Sequence, residues 1–293
     1  GFSKQVMCKK CGSVFKCPNC DVSLTYHKFD NSLKCHYCGY NINYPKNCFE
    51  CGSTYLRNMG TGTQKAEEDL LKLLPDAKIV RMDLDTVNVK NGHQKILDAF
   101  ENKEYDILLG TQIIAKGLDF ENVTLVGVIN ADIGLEVDFR SSERTFQLLT
   151  QVAGRAGREK LPGKVIIQTY NPNSFAIECS KEQNYDIFYN TEIILRKQLK
   201  YPPFCDIIMI GFSGENEKEI KDSSTYVYNL MRKNLEKYDI KVFPAMPSPI
   251  DKIQNKLRWR IIAKGKVTPE VTIILNKCLQ NIYQKNLKYT SIY

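Results

Sequence analysis

Apolar residues follow two different spacings between positions 63 and 170. Some stretches repeat an apolar residue every three or four positions, which predicts amphipathic helices, and others are short and almost continuously apolar, which predicts strands inside a sheet. The predicted helices are QKAEEDLLKLL (64–74), QKILDAFENK (94–103) and SSERTFQLLTQV (141–152), and the predicted strands are KIVRMD (78–83), YDILLGT (105–111), VTLVGVIN (123–130) and KVIIQTY (164–170). This alternation predicts an α/β fold whose parallel sheet is covered by helices on both faces and binds ligands at the carboxyl ends of its strands.

The last third of the chain predicts a different arrangement. Helices are expected within 174–199, and YPPF at 201–204 marks a domain boundary. The elements that follow are a strand DIIMIGF (206–212), a helix over 216–237, a strand near 240–243, a proline-rich loop PAMPSPI (244–250), a strand LRWRIIAK (257–264), a helix over 269–285 and a strand LKYTSIY (287–293). The order β-α-β-β-α-β predicts a C-terminal α+β domain of the split βαβ type.

The strand that contains LRWRI carries different residues on its two faces. Because side chains alternate along a strand, Leu257, Trp259 and Ile261 share one face. Arg258 and Arg260 share the other face. Trp259 is therefore expected in the core. The two arginines either bind nucleic-acid phosphate or form an exposed, solvated pair, and the sequence leaves both interpretations open.

Eight of the eleven cysteines lie between positions 8 and 51, as four CxxC pairs. These pairs are Cys8/Cys11, Cys17/Cys20, Cys35/Cys38 and Cys48/Cys51. Two CxxC turns close a tetrahedral four-cysteine site with no open position, so four turns predict two structural zinc ions. A disulfide framework is the alternative, but the sequence shows no secretory signal that would favour it. The solitary Cys179, Cys205 and Cys278 are expected to be small buried hydrophobic residues.

The gaps between the CxxC pairs favour a nested arrangement of the two zinc sites. Fourteen residues separate the second pair from the third, close to the usual spacing of a zinc ribbon, whereas only five separate the first from the second. We therefore expect one zinc ion on Cys17, Cys20, Cys35 and Cys38 and the other on Cys8, Cys11, Cys48 and Cys51. Aromatic residues and lysines lie between these ligands. The aromatic rings either stack on single-stranded nucleic acid or pack around the metals.

Composition and charge bear mainly on the partners of the chain. A length of 293 residues with 43% hydrophobic and 25% charged residues is typical of a soluble globular protein of two or three domains. The net charge of +8 is uneven, with +5 in residues 1–59, −3 in 60–177 and +6 in 178–293. The basic blocks favour a polyanionic partner, although solvated surface lysines explain them equally well. Without an apolar run long enough for a bilayer or a signal peptide, a cytoplasmic protein with no membrane partner is expected.

Several motifs occur together in the middle of the chain. GTQIIAKGLDF (110–120) follows a predicted strand, and QVAGRAGR (151–158) ends a predicted helix. With RMDLDT (81–86), they resemble the second RecA-like lobe of superfamily 2 helicases. In combination with the four CxxC pairs, GTGTQKAEEDLL (60–71) and DFRSSERTFQLLTQVAGRAGR (138–158), they make the whole chain resemble the family of primosomal replication-restart DNA helicases. Gln64 and Leu118 depart from the family, which has an acidic residue and often a histidine at these positions.

The resemblance implies that ATP binds in a cleft between two RecA-like lobes, of which this chain contributes the second. Arg155 and Arg158 would be arginine fingers that stabilise charge on the transferred phosphoryl group. Gln151 would orient or sense the γ-phosphate.

The resemblance also implies a connection between the ATP site and DNA. Gly117 and Asp119 would belong to the ATP-binding site and couple the state of the nucleotide to the grip on DNA. The residues expected near the DNA backbone in this lobe are Thr111, Gln112 and Lys116.

The first half of such an ATP site is not found in this sequence, which contains neither GxxxxGK[ST] nor DExH. The first residue is glycine, which favours a piece of a longer chain. The resemblance then implies the carboxyl-terminal part of the helicase, with a zinc-binding module over 1–59 that is inserted into the second lobe, the rest of this RecA-like lobe over 60–200 and a DNA- and partner-binding domain over 201–293. ATP and Mg²⁺ would bind only with the missing first lobe, so this chain alone is expected not to hydrolyse ATP.

By resemblance, the complete protein would be an ATP-dependent 3′→5′ DNA helicase. It would recognise stalled or branched replication forks and restart replication by primosome assembly. Its expected partners are single-stranded and forked DNA, a single-stranded DNA-binding protein, and primosome or helicase-loading proteins, and it is expected to be a monomer. Two alternatives remain open at this point. One is a zinc-ribbon nucleic-acid-binding protein with a vestigial RecA-like lobe and no motor activity, and the other is a scaffold whose basic domains bind other proteins.

Overall fold

The structure is a computed structural model that describes residues 5–60, 62–82, 92–111, 120, 122–132, 138–154, 163–283 and 290–293. The chain divides into two compact units. Residues 26–30 and 58–193 belong to the first unit, and residues 5–25, 31–57 and 194–293 belong to the second. Most of the cysteine-rich region therefore shares a unit with the last third of the chain, which is distant from it in sequence.

The cysteine-rich region consists of short strands separated by turns. Its strands are β1 (Gln5–Cys8), β2 (Thr25–His27), β3 (Ser32–Lys34), β4 (Asn41–Asn43) and β5 (Leu56–Met59). Strands β3 and β4 are antiparallel, with Leu33 opposite Ile42. Val6, Leu24 and Leu33 are almost completely buried. A core of so few aliphatic side chains is too small to hold the region folded without bound metal.

The middle of the chain alternates strands and helices as predicted. Its elements are α1 (Thr63–Leu73), β6 (Ile79–Met82), α2 (Gly92–Glu101), β7 (Ile107–Gly110), β8 (Leu125–Val128), α3 (Ser141–Ala153), β9 (Lys164–Ile167), α4 (Phe175–Lys181) and α5 (Tyr185–Gln198). β6 pairs with β7 and β8 pairs with β9, and both pairs are parallel. The predicted parallel arrangement of strands between helices is confirmed.

The expectation that helices cover both faces of the strands is wrong for the β8–β9 pair. Val128 and Ile167 pack on a cluster that includes Leu149 of α3. On the opposite face, Leu125 is 59% exposed and Ile166 is 51% exposed. The strands alternate between the two faces, so the side chains directed away from α3 and α4 remain accessible to solvent.

The last third of the chain forms an antiparallel sheet packed against two helices. Its elements are β10 (Asp206–Gly214), α6 (Glu217–Leu235), β11 (Ile240–Val242), β12 (Met246–Ile253), β13 (Lys256–Gly265), α7 (Pro269–Tyr283) and β14 (Thr290–Ile292). The strand order β11-β13-β10-β14 is that of the predicted split βαβ fold, with β12 added beside β13. Phe212, Ile261 and Val227 of this core are fully buried, and Trp259 packs against them as predicted.

The expected loop over 244–250 is wrong, because strand β12 begins at Met246. β12 pairs with β13 at Met246 and Pro247 and again at Lys252 and Ile253, and the register shifts between these two points. A proline lacks the N–H of a central strand, but a strand at the edge of a sheet and an irregular register both tolerate it. The prolines therefore mark an edge strand here.

Candidate metal centres and nucleic-acid interface

Three of the four CxxC turns share one backbone geometry. In each, a glycine with positive φ follows the second cysteine: 77° at Gly12, 76° at Gly39 and 68° at Gly52. Its N–H donates a hydrogen bond to the carbonyl of the first cysteine, at 2.9, 3.0 and 2.9 Å respectively. A residue with a Cβ is disfavoured at such φ values, so the CxxCG sequence specifies this turn. The remaining turn, Cys17–Cys20, is followed by Asp21 in place of glycine.

The eight cysteines form two groups, and within each group the sulfur atoms lie within 4.8 Å of one another. One group is Cys8, Cys11, Cys48 and Cys51, and the other is Cys17, Cys20, Cys35 and Cys38. The Sγ–Sγ distance is 3.7 Å for Cys11–Cys48 and 3.5 Å for Cys17–Cys38. Four sulfurs at about 2.3 Å from a tetrahedral zinc ion would lie about 3.8 Å apart, so both groups fit a structural zinc ion with four cysteine ligands. The nested pairing predicted from the gap lengths is confirmed.

Backbone N–H groups favour the thiolate form of one cysteine in each group. The N–H of Cys11 lowers the pKa of the Cys8 thiol to about 6. The N–H of Tyr40 lowers the pKa of the Cys38 thiol to about 7. Zinc binds the thiolate and not the thiol, so these two N–H groups favour the form of the sulfur that the metal requires.

The aromatic residues of the cysteine-rich region differ in their exposure. Phe15 is buried, and its ring packs edge-on against Phe49 with 5.0 Å between the ring centroids. Phe49 is itself 71% exposed, and Tyr37 is about half exposed. Phe15 therefore packs inside the cysteine-rich region, while the faces of Phe49 and Tyr37 are accessible to a ligand.

Most of the nucleotide- and DNA-site residues predicted in the helicase-like lobe lie outside the described residues. These are Gln112, Lys116, Gly117, Asp119, Arg155 and Arg158. The structure does describe Gln151 and Thr111. Gln151 is exposed in the last turn of α3, and Thr111 is exposed directly after the carboxyl end of β7. Both positions are accessible to a ligand, and the roles of all eight residues remain predictions.

Helix α3, which carries Gln151, is anchored at its beginning by Asp138. The Asp138 carboxylate accepts a hydrogen bond from the backbone N–H of Arg140 at 2.8 Å and forms an ion pair with Arg144 at 3.1 Å. The helix begins at Ser141 as predicted, and the Ser141 hydroxyl accepts a hydrogen bond from the Asp138 N–H at 2.8 Å. These contacts fix the first turn of the helix that leads to the QVAGRAGR motif.

Sequence reasoning missed Asp132, which lies beyond the carboxyl end of β8. Its carboxylate accepts hydrogen bonds from the backbone N–H of Tyr170 at 2.9 Å and the hydroxyl of Thr169 at 2.8 Å, just beyond β9. The Tyr170 N–H, and then the Thr169 hydroxyl, hold the pKa of Asp132 below its usual value. The signal available in the sequence was an aspartate just after an apolar strand, at the edge where parallel α/β sheets bind ligands.

Arg258 and Arg260 lie on the face of the C-terminal sheet opposite the buried core, in line with the alternation along β13. They stand across from Ser213 and Gly211 of β10. The guanidinium of Arg258 lies 3.2 Å from the hydroxyl of Tyr293. Among the described residues, the Nε atom of Arg260 is buried and has no hydrogen-bond partner.

The three solitary cysteines divide into two kinds. Cys179 and Cys278 are buried as predicted, and burial raises the pKa of both thiols. The prediction is wrong for Cys205, which is partly exposed and donates a hydrogen bond to the Lys200 carbonyl at 2.9 Å. Cys205 lies between α5 and β10, where its thiol reaches the chain just beyond the helix end.

Family models match the chain in three consecutive segments. Residues 17–42 match the Cys-rich region domain of the PriA DNA helicase, residues 59–160 match the helicase conserved C-terminal domain, and residues 197–289 match the C-terminal domain of primosomal protein N. These matches place the chain in the class of the helicases. The match to the conserved C-terminal helicase domain covers helices α1 to α3.

Curated relatives match almost the whole chain. The replication restart protein PriA of Bacillus subtilis is 45% identical over 98% of this chain and 36% of its own length. The corresponding protein of Synechocystis is 43% identical over 96% of this chain and 34% of its own length. That of Borreliella burgdorferi is 40% identical over 100% of this chain and 44% of its own length. The chain belongs to the PriA family of replication restart proteins.

The chain spans well under half the length of these relatives, between 34% and 44%. Within the part of the chain that the structure describes, none of the helices combines the length and apolarity that a membrane span requires.

Proposed function

We propose that this chain is the carboxyl-terminal part of an ATP-dependent 3′→5′ DNA helicase. The complete protein recognises stalled or branched replication forks and restarts replication by primosome assembly. The observation that carries this proposal is the succession of three family matches along one chain, at residues 17–42, 59–160 and 197–289. A zinc-ribbon binding protein with a vestigial RecA-like lobe would account for the first two matches but not for the third.

The three segments have separate tasks in the proposed helicase. Residues 1–59 form a zinc-binding module, residues 60–200 form the second RecA-like lobe, and residues 201–293 form a domain that binds DNA and partner proteins. The two closed four-cysteine centres support a structural role for zinc, because a site with four protein sulfurs has no open position for a substrate. The chemistry of ATP hydrolysis then belongs to the RecA-like lobes.

The ATP site is completed by a first lobe that brings the phosphate loop and the Mg²⁺-binding acidic motif. In this site, Arg155 and Arg158 stabilise the transferred phosphoryl group, and Gln151 senses the γ-phosphate. The exposure of Gln151 in the last turn of α3 supports this role, since the residue is accessible from outside the chain. This chain alone binds DNA but does not hydrolyse ATP, because it contains neither a phosphate loop nor a DExH motif.

The outer face of the C-terminal sheet is a proposed contact with DNA. Arg258 and Arg260 are neighbours on this face, and the buried Nε of Arg260 has no partner among the described residues. Both arginine side chains are partly exposed, so their guanidinium groups can reach a phosphate oxygen. The net charge of +6 over residues 178–293 favours the same ligand.

Further partners of the complete protein are a single-stranded DNA-binding protein and primosome or helicase-loading proteins. We place the protein in the cytoplasm and expect it to act as a monomer. The family's role in replication restart supports the first of these two statements.

Two measurements on the zinc-loaded chain and on the complete protein test this function. The first is the affinity for forked and blunt DNA at several salt concentrations, measured by fluorescence anisotropy. We expect the logarithm of the affinity to fall linearly with the logarithm of the salt concentration, since lysines and arginines displace counterions from phosphate. The second is ATP turnover with and without forked DNA, which we expect from the complete protein and not from this chain.

The possible outcomes separate the candidate functions. Absence of DNA binding at low salt would favour a protein scaffold. DNA binding without ATP turnover by the complete protein would favour the zinc-ribbon binding protein. ATP turnover by this chain alone would show that the assignment of the missing half of the site is wrong.

A further inference from the structure

The hairpin between β12 and β13 has a tight two-residue loop. Ile253 pairs with Lys256, so that only Gln254 and Asn255 connect the strands. Both loop residues have positive φ, 52° and 62°, as a type I′ turn requires. Gln254 is an unusual choice at such a position, because asparagine, aspartate and glycine adopt positive φ more readily. The conformational cost of glutamine at positive φ indicates that its side chain makes a stabilising contact.

The tip of this hairpin contacts the Cys17–Cys20 turn, and both belong to the same compact unit. Two of the contacts are between backbones. The Asp21 N–H donates to the Lys252 carbonyl at 2.9 Å, and the Asn255 N–H donates to the Asn19 carbonyl at 2.8 Å. These bonds join the hairpin to the turn on both sides of Cys20, in the manner of neighbouring strands.

Two side chains of the hairpin add further hydrogen bonds. The Lys252 ammonium donates to the Pro18 carbonyl at 2.7 Å, and the Gln254 side-chain amide donates to the Tyr37 carbonyl at 3.0 Å. Pro18 belongs to the turn that holds Cys17 and Cys20, and Tyr37 belongs to the turn that holds Cys35 and Cys38. The hairpin therefore bridges both CxxC turns of one zinc centre, which we call the inner centre.

The remaining contact reaches a zinc ligand directly. The backbone N–H of Gln254 donates to Cys20 Sγ at 3.2 Å, across 234 positions of sequence. In the turn that contains Cys38, the corresponding donor is local, because the Tyr40 N–H lies two residues after the cysteine. In the turn without glycine, the N–H two residues after Cys20 belongs to Val22 and donates to the Cys20 carbonyl at 2.8 Å. The Gln254 N–H therefore gives Cys20 Sγ the hydrogen bond that the local Tyr40 N–H gives to Cys38.

We propose that the β12–β13 hairpin supplies the hydrogen bonds that support the cysteine ligands of the inner zinc centre. Zinc at this centre then joins the cysteine-rich region to the C-terminal domain. Gln254 and Lys252 are positioning residues, since they act on the metal through Cys20, Pro18 and Tyr37. Hydrogen bonds to metal ligands orient them and oppose their release. The proposal does not depend on helicase activity, and the outer centre, on Cys8, Cys11, Cys48 and Cys51, serves as its internal reference.

The first test compares the rates of zinc loss from the fully loaded chain in excess chelator. The variant Lys252→Met/Gln254→Gly removes both side-chain bonds and keeps the hairpin backbone, because glycine accepts positive φ. We expect one of the two zinc ions to leave about tenfold faster, in line with other substitutions around metal ligands, and the other to leave at the original rate. Lys256→Met is the matched control, with the same loss of charge on an exposed residue of the same hairpin.

The second test uses hydrogen exchange of the backbone amides of residues 250–257, and so does not depend on these substitutions. We expect Cys35→Ser, which removes a ligand of the inner centre, to increase exchange in the hairpin. Cys48→Ser, which removes a ligand of the outer centre, should leave the hairpin protected. Protection of α6 in both variants shows that the C-terminal domain remains folded.

Equal rates of zinc loss from the double variant and from Lys256→Met would overturn the proposal. So would hairpin exchange that rises equally in Cys35→Ser and Cys48→Ser, or that rises in neither.

Discussion

The carboxylate of Asp132 accepts a hydrogen bond from the backbone N–H of Tyr170 at 2.9 Å, and this bond joins the chain beyond β8 to the chain beyond β9. The two strands are parallel, so this carboxylate lies at their shared carboxyl edge. The same carboxylate accepts the Thr169 hydroxyl. Asp132 therefore ties together two segments that lead away from the edge at which ligands bind in such sheets.

Replacement of Asp132 by asparagine should lower the free energy of unfolding of this lobe by about 1 kcal/mol, because a charged acceptor is exchanged for a neutral one. Hydrogen exchange of the β9 amides at neutral pH measures the change. Asp76→Asn is the control, since Asp76 is exposed in the turn after α1. Its exchange rates should equal those of the unmodified chain.

The effect of Asp132 has a defined pH dependence. The pKa of Asp132 is lowered in the folded state, so its carboxylate contributes stability that is complete above the unfolded pKa of about 3.9 and is lost as the pH falls through the folded value. The difference between the unmodified chain and Asp132→Asn should therefore shrink below about pH 4. A difference that grows in acid would show that the hydrogen bonds act on the protonated carboxyl group.

Gly265 is a position where the C-terminal domain should not accept a side chain. Its φ is 157°, and a Cβ there would lie 2.1 Å from the Asp239 carbonyl oxygen and 2.8 Å from the Ile240 Cα. Gly265→Ala should lower the free energy of unfolding by about 3 kcal/mol through backbone displacement and strain. Urea unfolding followed by fluorescence of Trp259, the single tryptophan, reports on this domain.

The control for Gly265→Ala is Lys277→Ala, because Lys277 is exposed on α7 of the same domain. Its effect on the free energy of unfolding should stay within about 0.5 kcal/mol. Equal stability of Gly265→Ala and the unmodified chain would mean that β13 and the chain before β11 separate at little cost.

The zinc centres should load and empty as two separate groups of four cysteines. Cys17→Ser and Cys8→Ser should each reduce the zinc content of the purified chain from two ions to one, because each removes one of four ligands from a different centre. Metal analysis by mass spectrometry measures this content. Cys205→Ser should retain both ions, since Cys205 belongs to neither group. A single zinc ion in the unmodified chain would contradict the two-centre arrangement.

Arg258 and Arg260 should contribute to DNA affinity through phosphate. Arg258→Ala and Arg260→Ala should each weaken binding to forked DNA at low salt and reduce the slope of log affinity against log salt by about 1. Lys277→Ala is the charge-matched control, on an exposed position of α7, which packs on the opposite face of the sheet. If Lys277→Ala has the same effect as the arginine variants, binding reflects net charge and not this face.

The zinc centres illustrate what local sequence can predict. CxxCG fixes a turn within five residues, and the gaps between the turns decide which pairs share a metal, so the nested pairing follows from spacing alone. The partner of Cys20 could not be predicted in this way. It lies 234 positions later, and its donor is a backbone N–H, which every residue except proline possesses.

Fold predictions were wrong where the same local sequence pattern occurs in two different structures. The prolines at 247 and 249 indicated a loop, yet an edge strand with a shifted register tolerates them equally well. The continuous apolar runs of β8 and β9 predicted cover on both faces, but Leu125 and Ile166 remain exposed. Which face a helix covers depends on the path of the chain between elements, and apolar spacing carries no information about that path.

ATP turnover by the complete protein on forked DNA tests the proposed function most directly, through Arg155→Ala and Arg158→Ala. We predict a loss of about 10³–10⁵-fold in turnover, as for other arginine fingers, with little change in ATP binding and no rescue by lysine, which lacks the planar guanidinium. Arg232→Ala, on an exposed position of α6, should leave turnover unchanged. Full turnover by both arginine variants, or their failure to fold, would contradict the assignment of this chain as the arginine-finger half of a DNA helicase.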